Sequence, residues 1–273
     1  MWNRNLVKSI DIEITSFCNI ACPTCTRTTS SVSGILDKST LSYDTLKNKI
    51  RPADFPNLDT INLCGTVDEP ISHPEIDNIV DLFTQWEGIR LSISTNGSLR
   101  SPKWWAELGA KSKKTGRITI LWGVDGIDEV SEIYRNGSKF EKVRENWRAY
   151  NNAGGRSTWQ FIVFEHNKHQ LPLLEETAKK EGFARTKVIY SDRPSTSNVV
   201  KVVRKNTSNT KPSPTKSETP PSTSPQSNSK PSNSVSTYSV ENKTNQTTDK
   251  IVPIILKKDE FNSIQCRYLT NGF

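Results

Sequence analysis

The chain has 273 residues, of which 33% are hydrophobic and 24% are charged, and its formal net charge is +8 at neutral pH. No run of about 18 apolar residues occurs and the first residues lack the pattern of a secretory signal peptide, so neither a membrane span nor export is expected. Five cysteines, an odd number, do not fit the paired framework of a secreted disulfide-rich domain, and we expect a cytoplasmic protein with one sizeable core.

The positive charge is concentrated in one segment of unusual composition. Residues 194–250 contain eight Lys or Arg and three Asp or Glu, and they consist mainly of Ser, Thr, Asn, Pro and Lys. A segment with so few large apolar residues after Val203 cannot offset the entropy lost on ordering. We therefore predict a core domain over residues 1–193, a disordered linker over 194–250 and a short C-terminal segment over 251–273. We favour a solvated linker over a nucleic-acid-binding tail.

Strand-like and helix-like patterns alternate through the predicted core, which favours parallel βαβ units over separate blocks of strands and helices. The predicted strands cover residues 10–14, 60–63, 89–94, 118–124, 159–164 and 187–190. The predicted helices cover 40–50, 74–86, a stretch with Trp104 and Leu108, 140–153 and 171–181. Six such units are too few to close an eightfold barrel, so the predicted fold is α/β, a partial (β/α)6 TIM-like barrel with parallel strands.

A barrel of this kind carries its site at the carboxyl ends of the strands. Polar or glycine-containing segments follow five of the predicted strands, at residues 18–25, 64–70, 95–98, 125–126 and 165–167. We therefore expect these five segments to converge on one rim of the barrel.

Three cysteines lie within eight residues in the first of these segments. Cys18, Cys22 and Cys25 follow the first predicted strand with the spacing Cys-x3-Cys-x2-Cys. Soft thiolates select iron-sulfur chemistry or zinc, and three ligands from one segment leave one coordination position open. The spacing alone is also compatible with zinc. A zinc site would need a fourth ligand nearby, and the nearest histidine, His73, lies beyond the next predicted strand.

The run CNIACPTC resembles the signature of the radical S-adenosylmethionine (radical SAM) superfamily. The resemblance implies a [4Fe-4S] cluster with three irons held by the three cysteines and a fourth chelated by the amino and carboxylate groups of S-adenosylmethionine. It also implies reductive cleavage of that cofactor to methionine and a 5′-deoxyadenosyl radical, which takes a hydrogen atom from substrate. In this family an aromatic residue that packs near the adenine often precedes the last cysteine, and Thr24 stands there instead.

A second segment, LCGTVDEPISHPEI, resembles the family's glycine-rich turn, which ends in Glu-Pro or Asp-Pro and binds the methionyl amino group. Gly65 belongs to this turn, Glu69 aligns with the acid, and Asp68 stands where glycine is common. Such a turn needs an acceptor for an ammonium group and a backbone that approaches the ligand closely. The resemblance therefore implies that Asp68 or Glu69 faces the cofactor.

Two further segments, SISTNGSL and LWGVDGID, resemble parts of the family that line the cofactor and substrate side of the barrel. The resemblance makes Ser94, Thr95 and Asn96 contacts to the methionyl or ribose groups, and Asp125 a more distant one. In the next strand-like segment, WQFIVFEHN, the resemblance places Gln160 and Asn167 where they reach the rim.

The two remaining cysteines have separate interpretations. Cys64 ends the second predicted strand and is interpreted as a small buried core residue. Cys266 lies in SIQCRYLTNGF, which resembles the start of a SPASM or twitch extension, where a first cysteine precedes further ligands to an auxiliary cluster. The chain stops seven residues later, so the resemblance implies a truncated extension.

The sequence thus predicts an enzyme whose cofactors are a [4Fe-4S] cluster and S-adenosylmethionine. A flavodoxin- or ferredoxin-like reductant is the expected partner, and a peptide or protein side chain is the favoured substrate. Two alternatives stay open at this point: a non-catalytic scaffold protein that holds zinc or a structural cluster, and a degenerate relative that has lost its substrate.

Overall fold

The computed structural model describes residues 4–32, 34, 36–190, 255–258 and 263–267. The predicted linker over 194–250 and most of the predicted C-terminal segment lie outside these residues, so the predicted domain boundaries stay predictions. Among the described residues, no helix is both long enough and apolar enough to cross a membrane.

Six strands form a parallel sheet in chain order. They are β1 (Ser9–Ile12), β2 (Thr60–Leu63), β3 (Arg90–Thr95), β4 (Ile118–Gly123), β5 (Arg156–Val163) and β6 (Arg185–Tyr190). Each strand pairs in parallel with the next one along the chain, and β1 and β6 do not pair with each other in the described part of the chain. The open, parallel partial barrel predicted from the sequence is confirmed.

Two more strands, β7 (Ile255–Lys258) and β8 (Ser263–Arg267), extend the sheet beyond β1. β8 pairs in parallel with β1, where Cys266 lies opposite Ile12, and β7 pairs antiparallel with β8. The sequence alone does not predict strands here. They form at the edge of β1, where backbone N–H and C=O groups lack partners and a short extended segment can form hydrogen bonds with them.

Seven helices among the described residues accompany the strands. They are α1 (Thr26–Val32), α2 (Tyr43–Lys49), α3 (Ile76–Thr84), α4 (Pro102–Thr115), α5 (Ser131–Tyr134), α6 (Phe140–Asn152) and α7 (Leu174–Lys180). Short 3-10 helices cover Arg4–Leu6, Pro52–Asp54, Pro70–Ser72 and Lys168–Leu173. The sequence predicts all of these α-helices except α1 and α5, which have no clear apolar periodicity.

The strands bury the face that packs against the helices. Ile93, Trp122 and Trp159 lie on this face of β3, β4 and β5 and are fully buried. The ring of Trp122 lies 4.5 Å from that of Trp105 in α4, and the ring of Trp159 lies 5.0 Å from that of Trp147 in α6. These aromatic contacts hold the sheet against the two longest helices of the described chain.

The opposite, inner face of the sheet is mainly polar. Asn62, Ser92, Thr119 and Thr158 alternate with the buried strand residues, and each is partly exposed. Successive side chains of a strand point to opposite faces, so these four point away from the helices. A closed eightfold barrel fills this space with packed side chains, whereas here the inner face is accessible to a ligand.

Candidate functional site

One cleft at the carboxyl ends of the central strands collects side chains from several segments of the chain. It encloses about 530 Å³, including the space at its mouth. Its lining includes Cys18, Cys22, Cys25, Cys64, Gly65, Asp68, Glu69, Ser94, Thr95, Asn96, Gly123, Arg135 and Gln160. All the site residues named from the sequence therefore line one cleft except Asp125 and Asn167, which do not line it and are fully buried.

The three cysteines of the loop after β1 are free thiols, and Cys22 is buried. The loop is anchored by the Ala21 N–H, which donates to the Asn136 carbonyl at 2.9 Å. Burial raises the pKa of the Cys18 thiol and raises that of Cys22 to about 12. Both thiols are therefore protonated in the metal-free protein, and metal binding would release their protons.

The donor set of this loop fits a cluster. Within the part of the chain that the structure describes, no three His, Cys, Asp or Glu side chains are arranged to hold a single metal ion. In a [4Fe-4S] cluster each thiolate binds a different iron, so the three sulfur atoms need not converge on one point. Three soft thiols around one cleft match that requirement in number and in ligand type.

Thr24, which stands where the family often has an aromatic residue, contacts an aromatic side chain from α5. Thr24 is buried, and its hydroxyl shares a hydrogen bond of 3.0 Å with the Tyr134 hydroxyl. The Tyr134 ring packs on Phe164 with centroids 4.3 Å apart, and both belong to a small hydrophobic cluster with Ile20 and Cys22. The cysteine loop therefore has an aromatic wall, which comes from a distant part of the chain.

Glu69 is buried, and its carboxylate is held by backbone and side-chain donors. Its Oε1 accepts hydrogen bonds from the Thr95 hydroxyl at 2.6 Å and from the Ile71 N–H at 3.3 Å. Its Oε2 accepts one from the Asn96 N–H at 2.6 Å. Burial raises the pKa of Glu69 to about 7, although these hydrogen bonds favour the charged form. The carboxylate thus ties the turn after β2 to the end of β3.

Asp68 lies beside a second buried acid, Glu13, which the sequence analysis does not identify. Its Oδ2 accepts hydrogen bonds from the Ile14 N–H at 3.2 Å and the Thr15 N–H at 3.4 Å. Its Oδ1 is buried and has no hydrogen-bond donor among the described residues, unless the two acids share a proton. Burial and the neighbouring Glu13 carboxyl raise the pKa of Asp68 well above its usual range.

Glu13 also shapes the turn after β2. Its Oε1 accepts hydrogen bonds from the Cys64 thiol at 3.2 Å and the Thr66 N–H at 3.0 Å, and its Oε2 accepts one from the Val67 N–H at 3.3 Å. Cys64 is only partly buried and lines the cleft, so its interpretation as a core residue is wrong. It lies two residues after Asn62 and points to the same inner face.

The side chain of Asn96 is fixed by a ring of polar contacts. Its Nδ2 donates to Asn19 Oδ1 at 3.0 Å and lies 3.7 Å from the Cys18 sulfur. Its Oδ1 accepts hydrogen bonds from the Ser98 N–H at 2.9 Å and the Ser98 hydroxyl at 2.5 Å. Asn19 Nδ2 closes the ring by donating to the Ser98 hydroxyl at 2.8 Å. The end of β3 is therefore tied directly to the cysteine loop.

Arg135 is a cation of the cleft that the sequence analysis does not identify. Its Nε donates to Asp125 Oδ2 at 2.6 Å, and the two side chains are 15% and 0% exposed. Its Nη2 lies against Gly123, where an added Cβ would approach it to 2.9 Å. Asp125 thus orients Arg135 and does not face the cleft itself. The sequence around Arg135 does not indicate a buried cation, because its burial depends on β4 and β5, which are distant in the chain.

Comparison with known proteins identifies the family. Residues 12–169, more than half of the chain, match the Radical SAM superfamily. The chain belongs to this superfamily. Enzymes of this superfamily take a [4Fe-4S] cluster and S-adenosylmethionine as cofactors, and the match confirms the cofactors predicted from the cysteine motif. No curated protein matches the chain.

Several solved structures share the fold. Streptococcus suis SuiB bound to S-adenosylmethionine is 19% identical with a TM-score of 0.58, and the match covers 74% of this chain and 44% of SuiB. SuiB bound to the precursor peptide SuiA is 18% identical with a TM-score of 0.56, covering 67% and 39%. Native anSMEcpe with bound AdoMet and the Cp18Cys peptide is 16% identical with a TM-score of 0.54, covering 71% and 55%. This chain spans about half the length of these proteins.

Proposed function

We propose that this protein is a radical SAM enzyme that binds its cluster through Cys18, Cys22 and Cys25. The observation that carries the proposal is that these thiols share one cleft with the acidic turn after β2 and the polar end of β3. When bound, the reduced cluster and S-adenosylmethionine supply hydrogen-atom abstraction from a substrate. The residues of the chain bind and orient the two cofactors and keep water from the reacting atoms.

Asp68 is the acceptor that we assign to the amino group of S-adenosylmethionine. Its Oδ1 has no donor among the described residues other than a proton shared with Glu13, whereas both oxygens of Glu69 already accept hydrogen bonds from the protein. An ammonium group offers three donors and would replace a proton shared between Asp68 and Glu13. Glu69 then acts as a positioning residue, because it fixes Thr95 and Asn96 at the rim.

Arg135 is the residue that we assign to the cofactor's carboxylate. Asp125 accepts from its Nε, and its two terminal nitrogens donate to no side chain or carbonyl among the described residues. A guanidinium with free terminal nitrogens can hold a carboxylate through two parallel hydrogen bonds. Ser94 and Gln160, which line the same cleft, add polar contacts beside it.

The substrate class that we propose is a peptide or protein side chain. Solved structures of this fold include SuiB with its precursor peptide SuiA and anSMEcpe with the Cp18Cys peptide. The resemblance of the segment around Cys266 to a SPASM or twitch extension favours the same class. The cluster must be reduced by one electron, so we propose a flavodoxin- or ferredoxin-like partner in the cytoplasm.

Anaerobic reconstitution tests this function directly. We expect the wild-type protein to take up about four iron and four sulfide per chain and, after reduction, to form 5′-deoxyadenosine from S-adenosylmethionine. Replacement of Cys22 with Ala should abolish cluster formation and the product, because it removes one of the three thiolates.

Cys64→Ala is the matched control, since Cys64 lines the same cleft outside the loop. It should retain the iron and sulfide content of the wild type. A wild-type protein that binds one zinc and no sulfide would favour the scaffold alternative, and a cluster-loaded protein that leaves S-adenosylmethionine intact would contradict the proposed enzyme.

A further inference from the structure

A second cavity lies on the inner face of the sheet, toward the amino ends of the strands. It encloses about 930 Å³, including the space at its mouth. We call it the inner chamber and define it by three hydroxyl residues and three cations in its lining: Ser92, Thr119, Thr158, Arg90, Arg185 and Lys187. Nothing in the proposed cofactor site uses these six residues.

The inner chamber adjoins the cofactor cleft. Leu121 of β4 lines both cavities. Ser92 in the chamber and Ser94 in the cleft are two residues apart on β3, and Thr158 and Gln160 are two residues apart on β5. Residues two apart on a strand are separated by about 7 Å, so a molecule in the chamber can extend into the cleft.

The floor of the chamber has unused hydrogen-bonding capacity. The hydroxyls of Ser92, Thr119 and Thr158 make no hydrogen bond to another described residue, and all three are partly exposed. On the same strands, the alternating positions that face the helices are buried, and all of them are apolar except Thr95 and Ser157. Hydroxyls in a cavity need water or a polar ligand as partners, so the chamber suits a polar occupant.

The charge of the chamber is positive on two sides. Arg185 and Lys187 project from β6 and form no ion pair with a described residue. Arg90, on the β3 side, forms an exposed ion pair with Asp59 at 3.2 Å. Within the described ranges, no carboxylate lines the chamber. Asp11 of β1 accepts a hydrogen bond at 2.6 Å from Asn62, which lines the chamber.

We propose that the inner chamber is the substrate site and that it binds a peptide through an aspartate or glutamate side chain. The two unpaired cations on β6, Arg185 and Lys187, attract a carboxylate, and the hydroxyl floor offers partners for the peptide backbone. The volume exceeds that of one side chain, and the adjoining cleft lets a neighbouring residue of the same peptide approach the cofactor. This inference rests on the proposed function, since it identifies the substrate class of that enzyme.

Two peptide pools test the proposal. Each consists of acetylated and amidated heptapeptides with neutral residues at six positions, and the central residue is Glu in one pool and Gln in the other. After incubation with the reconstituted protein and S-adenosylmethionine, ultrafiltration and mass spectrometry measure retention. We expect the Glu pool to be retained about tenfold more than the Gln pool, the ratio that corresponds to one charge-assisted contact.

The double variant Arg185→Gln and Lys187→Gln should reduce this ratio to about one. The matched control is Lys103→Gln and Lys142→Gln, which removes the same charge from exposed positions on α4 and α6 and should keep the wild-type ratio. Equal retention of the two pools by the wild type, or an unchanged ratio in the Arg185 and Lys187 variant, overturns the proposal.

The same preparations separate this inference from the proposed function. A protein that forms the cluster and cleaves S-adenosylmethionine but does not prefer the Glu pool overturns the substrate inference alone. A protein that prefers the Glu pool through Arg185 and Lys187 but never forms a cluster overturns the enzyme, while it upholds the chamber as an acidic-peptide site.

Discussion

Three carboxyl groups, those of Glu13, Asp68 and Glu69, are buried on one side of the cleft and are at most 4%, 6% and 2% exposed. Buried acids are unfavourable unless hydrogen bonds or cations compensate them. Backbone donors compensate most of these oxygens, but Asp68 Oδ1 has no donor among the described residues other than a proton shared with Glu13. The site thus carries an electrostatic cost in the unliganded protein, and a bound ammonium group would relieve it.

Replacement of Glu69 with Gln should remove part of the pH dependence of stability. The pKa of Glu69 is about 7 in the folded protein against 4.5 for the ordinary group. Between about pH 4.5 and pH 7, Glu69 is therefore protonated in the folded state and ionised in the unfolded state. The stability that this bound proton contributes is lost as the pH rises through that range. We expect the free energy of unfolding of the wild type to fall relative to the variant by up to about 1.4 kcal/mol per pH unit.

Urea denaturation of the two metal-free proteins between pH 5 and pH 8 measures this difference. The Glu69 charge also raises the pKa of Asp68, so the difference between the two proteins includes the change in the Asp68 titration that the substitution causes. Parallel curves would show that the hydrogen bonds from Thr95 and Asn96 hold Glu69 at its ordinary pKa.

At the scale of elements, the geometry of the site depends more on the short connections between elements than on the strands. β3 ends at Thr95, and the turn after it carries Asn96 and Gly97, whose φ is +72°. An added Cβ at Gly97 would lie 2.7 Å from the Trp122 ring and 2.9 Å from Val143. The turn can pack this closely on β4 and α6 only because Gly97 has no side chain.

Replacement of Gly97 with Ala should therefore destabilise the protein through both backbone strain and overpacking. Gly88→Ala is the matched control, since Gly88 has a φ of +78° and its added Cβ would meet nothing within 4 Å. We expect the Gly97 variant to lose at least about 2 kcal/mol more free energy of unfolding than the Gly88 variant in urea. Equal losses would mean that the turn relaxes away from Trp122.

The two short helices that the sequence does not predict also serve the site. α5 supplies Tyr134 to the wall beside the cysteine loop and is followed by Arg135. Asp125 at the end of β4 holds Arg135 and also accepts a hydrogen bond from the Ile162 N–H of β5 at 2.7 Å. One buried carboxylate thus fixes β4, β5 and the segment after α5 relative to one another.

For the whole molecule, the open barrel has side chains of different polarity on the two faces of one sheet. The outer face buries apolar side chains against the helices, while the inner face presents polar side chains to the cleft and the inner chamber. The cleft is built from segments that are distant in the chain, so ligands bound there would hold these segments together and stabilise the folded state.

Cofactor binding should accordingly raise the melting temperature twice: first when the cluster is loaded, and again when S-adenosylmethionine binds to the cluster-loaded protein. At a concentration of S-adenosylmethionine 100 times its Kd, we expect the free energy of unfolding to rise by about 2.7 kcal/mol. We expect this rise only in the cluster-loaded protein, because the cluster would form part of the binding site for S-adenosylmethionine. Differential scanning calorimetry with and without the cluster measures both steps. An equal shift in the metal-free protein or in the Cys22→Ala variant would contradict this coupling.

The sequence by itself determined the order of strands and helices, the parallel partial barrel, the cysteine motif and the cofactors. These features depend on local patterns: apolar alternation sets a strand, and the spacing of Cys18, Cys22 and Cys25 sets a three-ligand loop. The convergence of the loops that carry Glu69 and Asn96 also followed, because parallel strands bring their carboxyl ends to one edge.

Only the tertiary structure decided which polar groups face the cleft and which support them. Glu13, Arg135 and Cys64 were missed or misinterpreted, and Asp125 lies behind the cleft, because the burial of each depends on segments that are far apart in the chain. The strands β7 and β8 likewise form only where the edge of β1 is available to pair with them. Local patterns specify the elements, whereas the partners of a buried charge are specified by the packing of the whole chain.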